Sequence, residues 1–77
     1  MRKEVADFMV FVVEQTANRL FAGDQVAAYA AMRDSGLWDF FVSTYDTSHT
    51  VGVDYLMEDA ERWFAHHGGD YAGLSRQ

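Results

Sequence analysis

Glycine and proline set where a chain can stop a helix, and this one has six glycines and no proline. Without proline, nothing covalent interrupts a helix inside the intervals that glycine leaves. Gly23, Gly36, Gly52, the pair Gly68-Gly69 and Gly73 fall between stretches of helix-sized length and read as helix ends. The spacing predicts an all-α chain, a compact bundle of about four short helices joined by short turns. The first helix falls within residues 1–20, from Lys3 to Leu20. The second covers 25–34, the third 37–45 and the fourth 53–67. Residues 68–77 read as a frayed tail in which Tyr71 and Leu74 touch down.

The apolar pattern agrees with helices. On a wheel of about 3.6 residues per turn, Val5, Ala6, Met9, Val10, Val12, Val13, Ala17 and Leu20 take one half of the first segment. Glu4, Asp7, Glu14, Gln15 and Asn18 take the other. The β-branched run within it would suit a strand, but a strand leaves the flanking apolar positions without periodicity. Phe11 is misplaced: it falls in the middle of the polar half, with Phe8 at the border of the same face, and the two are candidates for an intermolecular contact. The ordinary alternatives for Phe11 are a singly exposed aromatic or one covered by a chain end.

Asp24 is placed to cap the second helix, whose Ala27, Ala28, Ala30 and Ala31 permit close approach to a neighbour and whose larger apolar groups are Val26, Tyr29 and Met32. The third helix carries Leu37, Trp38, Phe40, Phe41, Val42 and Tyr45, apolar on nearly every side and therefore buried. In the fourth, Leu56, Met57, Ala60, Trp63 and Phe64 form a stripe opposite Glu58, Asp59, Glu61 and Arg62. A 77-residue chain with no cysteine has neither disulfides nor thiolate ligands to support a core that buries only about 60% of its unfolded surface. With 49% hydrophobic residues, dense packing or a homo-oligomer must make up the difference.

Composition also bounds function. Six basic residues against twelve acidic ones give a net charge of -6, which counts against nucleic acid as a ligand. The apolar run from Phe8 to Val13 is too short for a signal peptide or a membrane span, so a cytoplasmic protein is expected.

Polar and titratable groups collect away from a regular helical face only between Tyr45 and Gly52. Asp46, Thr47, Ser48 and Thr50 are residue types that bond to nearby backbone, so the first expectation is a structural turn, with Thr50 or Asp54 capping the last helix. His49, oriented by Asp46 or working with Asp59, would form an acid–base pair, but a nucleophile, a third orienting group and oxyanion donors are missing from the pattern. Ser48 beside His49 does not make a triad, since adjacency in sequence does not give triad geometry. His66 and His67 point about 100° apart on one helix and do not readily ligate one ion, so no metal and no cofactor is expected. Both suit the last turn of a helix, where an imidazolium complements the dipole.

The order of features resembles a small bacterial family, domain of unknown function thirty-seven ninety-one. The resemblance rests on Phe11-Val12-Val13-Glu14, Gly23-Asp24-Gln25-Val26, Gly36-Leu37-Trp38-Asp39-Phe40 and above all Tyr45-Asp46-x-x-His49-Thr50-x-Gly52-x-x-Tyr55 followed by Glu58-Asp59. It implies a short all-helical protein encoded beside a protein that resembles ADP-ribosyltransferases, and so a small partner of that protein, as an antitoxin or regulatory subunit. The alanine-rich second helix and the polar tail depart from the family pattern.

Two functions follow as expectations. One is a non-enzymatic protein-interaction module that uses Tyr45, Asp46, His49, Thr50 and Tyr55, together with Phe8 and Phe11. The other is a small enzyme or ligand-binding domain built on His49 with Asp46 or Asp59, which requires a pocket beside the imidazole.

Overall fold

Helix α1, Lys3–Leu20, begins and ends where its apolar periodicity does. In the computed structural model, which describes residues 1–67, its last turn is closed at Ala17, whose carbonyl accepts from the amides of Phe21 and Gly23 at 3.0 and 2.8 Å. Ala22 and Gly23 both take left-handed backbone angles and reverse the chain. Asp24 then caps α2, Gln25–Ser35, its Oδ1 accepting from the Ala27 amide at 3.0 Å, as the sequence predicts. This helix runs one residue further than expected and stops on Gly36.

Gly36 joins α2 to α3, Leu37–Ser43, through a left-handed φ of 87°. A Cβ there would meet Trp63 Cζ2 at 3.6 Å, an ordinary contact, so the backbone angle alone sets the cost of substitution. Gly36→Ala is expected to destabilise the chain by about 1–2 kcal/mol, read as a lowered midpoint in urea with an unchanged slope. A midpoint equal to wild type would mean the turn relaxes out of the left-handed region.

The structure corrects the third helix. It was expected to run unbroken to Tyr45, but it ends at Ser43 and is followed by a single helical turn, α4, Tyr45–Ser48. Three donors converge on one carbonyl at the break: the Thr44 amide at 3.0 Å, Ser43 Oγ at 3.0 Å and Thr44 Oγ1 at 2.8 Å all bond to Phe40 O. These side-chain bonds give the backbone an alternative to continuing the ladder. The stretch read as a turn is therefore helical in its first half. α5, Val53–His67, has the predicted bounds. The expectations for the 68–77 tail, Tyr71 and Leu74 included, lie outside the described residues, as does the side chain of His67.

The core is a single cluster. α1 contributes Val5, Met9, Val12 and Leu20, α2 Ala31 and Met32, α3 Leu37 and Phe41, and α5 Leu56, Met57, Ala60 and Phe64. Ala28 and Ala31 are buried on α2, whose most extensive packing is against α1, consistent with close approach over small side chains. Thr16 sits in the same buried face, its hydroxyl donating to Met57 Sδ at 3.8 Å. Trp63 Nε1 donates to Ser35 O at 2.9 Å and ties α5 to the end of α2.

The buried arc of α1 is rotated from the expected one. Phe8, placed at the border of the polar face, packs on the core, whereas Val10, placed on the apolar half, is 67% exposed. Val26 and Tyr29 on α2 are exposed as well. The third segment is buried less completely than expected: Leu37 and Phe41 are fully enclosed, but Trp38, Phe40 and Val42 only in part. No strand occurs among the described residues, and none of their helices is long and apolar enough to cross a membrane.

Candidate functional site

The turn of α4 places Tyr45, Asp46 and His49 together at one corner, beside the N-terminal end of α1. The Tyr45 ring meets Phe8 edge-on, with centroids 5.4 Å apart, and lies flat against the His49 imidazole at 4.3 Å and 8°. Arg2 reaches over from the start of α1, its guanidinium carbon 5.7 Å from the Tyr45 centroid and its Nη2 3.8 Å from Asp46 Oδ1. His49 Nδ1 is 2.6 Å from Tyr45 O. A carbonyl can only accept, so Nδ1 carries the proton in this bond.

That geometry uses the corner's polar groups locally. Asp46 faces Arg2 and not His49, and Asp59 is bonded to Arg62 on its own helix. Neither carboxylate therefore orients the imidazole, contrary to the acid–base arrangement considered from the sequence. Ser48 is buried with its Oγ 2.9 Å from Thr44 Oγ1, turned to a structural bond. Thr50 does not reach forward to α5: its hydroxyl donates back to Thr47 O at 2.7 Å. Asp54, in the first turn of α5, pairs with Arg19 Nη1 at 2.7 Å. Tyr55 is 58% exposed and Phe11 42% exposed, and neither has a ring partner, so the structure does not draw them into the corner. No group of three or more His, Asp or Glu side chains among the described residues is arranged to hold a metal ion.

A second surface was not anticipated. Met9, Val10 and Val13 of α1, Val26 and Tyr29 of α2 and Trp38 of α3 line an open groove of about 370 Å³, with Gln25 as its polar contributor. Val26 is 80% exposed and Tyr29 42%. Tyr29 and Trp38 meet edge-to-face at 5.2 Å, and the Arg33 guanidinium lies 5.9 Å from one ring centroid and 6.0 Å from the other. Arg33 Nη1 also donates to Tyr29 Oη at 3.2 Å. The sequence reading put Val10 on the apolar half of α1 and gave Val26 and Tyr29 as larger apolar groups of α2, without placing the three around one surface. Their helices do have such faces, but each is wider than the neighbouring helices cover. A second open depression of about 360 Å³, at Phe40, Asp59, Arg62, Trp63 and His66, includes the exposed His66 in its lining.

A small all-helical domain with an open apolar groove and a self-satisfied polar corner is thus the class defined by fold and surface. The chain belongs to the family described as Protein of unknown function (DUF3791), whose model matches residues 7–64. That span takes in the groove and the Tyr45, Asp46 and His49 of the corner, but not Arg2. No curated protein and no solved structure matches the chain.

Proposed function

We propose that this chain is a non-enzymatic protein-interaction module of the cytoplasm, the small partner of a second protein, which it holds through the groove between α1 and α2. The carrying observation is the contiguous exposure of Val10, Val26 and Tyr29 around one concavity. Single exposed apolar residues are ordinary, whereas a contiguous apolar concavity favours a docking surface. Full burial of each such side chain contributes about 1.5–3 kcal/mol, which sets against the cost of association and makes these side chains the apolar centre of the proposed contact.

The ADP-ribosyltransferase-like protein implied by the family resemblance is the partner we propose, with this chain as its antitoxin or regulatory subunit. Co-expression of the two and size-exclusion chromatography is the test, and a stoichiometric complex is expected. Two separate peaks at micromolar concentration would remove that partner. The same experiment with His49→Ala should retain the complex with a slightly lowered melting temperature, because the imidazole's contacts are internal to the corner. A His49→Ala chain that folds but no longer binds would return recognition to the corner.

A further inference from the structure

Of the five Lys and Arg side chains among the described residues, Arg2, Lys3, Arg19 and Arg62 each pair with a carboxylate, and Arg33 is in no ion pair. In a chain with twice as many acidic as basic residues this is unexpected. Arg33 is held in place all the same, by its bond to Tyr29 Oη and by the faces of two rings that line the groove. A guanidinium so oriented is preorganised for a planar carboxylate and gives up little side-chain freedom on meeting one.

We propose that the occupant of the groove is an amphipathic helix of the partner protein, which lays an apolar stripe against Val10, Val26 and Tyr29 and brings an Asp or Glu to Arg33. This rests on the reading of the groove as the docking surface. A helix fits better than an extended segment because the described residues contain no sheet edge. An extended backbone laid in this apolar groove would lose water from amides that have no partner there, whereas a helix satisfies its own. The stripe would repeat at i, i+3 or i+4, and i+7, with the acid beside it. A second copy of this chain suits the groove less well, since each copy carries a net charge of -6.

The test selects binders to the intact chain from a displayed library of helix-forming peptides of about four turns. Selected peptides are expected to share the apolar spacing and one carboxylate. Changing that carboxylate to its amide, or Arg33→Gln in the chain, should each weaken binding about tenfold. Combined, the two changes should cost little more than either alone, because they remove one interaction. Arg33→Lys should recover only part of the loss, as an ammonium keeps the charge but not the planar fork. Additive losses, binders without an acid, or no binders would overturn the proposal. So would a chain that sediments as a dimer and returns to monomer on Val26→Asp, which would give the groove to a second copy. If Val26→Asp removes binding while Arg33→Gln does not, the acidic helix fails and the groove stands. If neither matters, the groove fails too.

Discussion

Phe41→Ala is expected to leave this chain largely unfolded at ambient temperature. Phe41 is fully buried, meets Phe8 edge-on at 6.4 Å and packs against Phe40 at 5.6 Å. It links the start of α1 to the short α3, which has only seven residues of its own to hold it in place. Truncating a core phenylalanine costs about 3–5 kcal/mol. Stability of about 0.05–0.15 kcal/mol per residue gives a chain of 77 residues about 4–12 kcal/mol in all, and a core without disulfides belongs to the lower part of that range. Circular dichroism should show a weak helical signal and a broad, sloping melt. Phe11→Ser, at an exposed position on the same helix as Phe8, should melt as wild type does. A cooperative transition for Phe41→Ala within a few degrees of wild type would mean that α3 contributes little to the core.

The helices were legible because their limits are chemical and local. Asp24, Gly36 and Gly52 stand at or beside helix ends, and α1 and α5 have the expected bounds. The break at Thr44 was not legible as such, although its cause lies in the sequence: Ser43 and Thr44 both carry hydroxyls within reach of Phe40 O. Hydroxyls on a helix can bond to the backbone of the preceding turn or to water, and the sequence does not choose between the two. The corner was legible as a cluster but not as a set of bonds. Asp46 lies three residues from His49, but the nearer match for its charge is Arg2, 44 positions away in sequence.

The groove was hidden for a different reason. A helical wheel tells which residues share a face and says nothing of how much of that face a neighbour covers. Val10 and Met9 are adjacent in sequence and both lie in the apolar half of α1, yet Met9 is 1% exposed and Val10 67%. Met9 belongs to the buried cluster that α1 shares with α2, α3 and α5, whereas Val10 stands with Val26 and Tyr29 around the open groove. Ala28 and Ala31 are buried on α2 while Val26 and Tyr29 of the same helix stay exposed on the groove, so burial on α2 too is decided by what its neighbours cover.

Val26→Asp should abolish the partner complex, with at least a hundredfold loss of affinity, and leave the fold intact. Val26, at 80% exposure, is more exposed than Val10 or Tyr29 and has no part in the core cluster, so its removal leaves no cavity. It occupies the first turn of α2, where no acidic residue now stands and where a carboxylate complements the positive end of the helix dipole. The melting temperature should therefore stay level or rise slightly. The same carboxylate would cover an apolar contact in the complex, and taking it out of water without a counter-charge is strongly unfavourable. The pairing of full stability with lost binding separates a docking surface from a merely under-packed one. Isothermal titration of the variant with the ADP-ribosyltransferase-like protein decides it, provided the wild-type chain binds: an affinity within about twofold of wild type would place recognition elsewhere on the molecule, and the exposed Phe11 and Tyr55 would be the next positions to alter, each by itself.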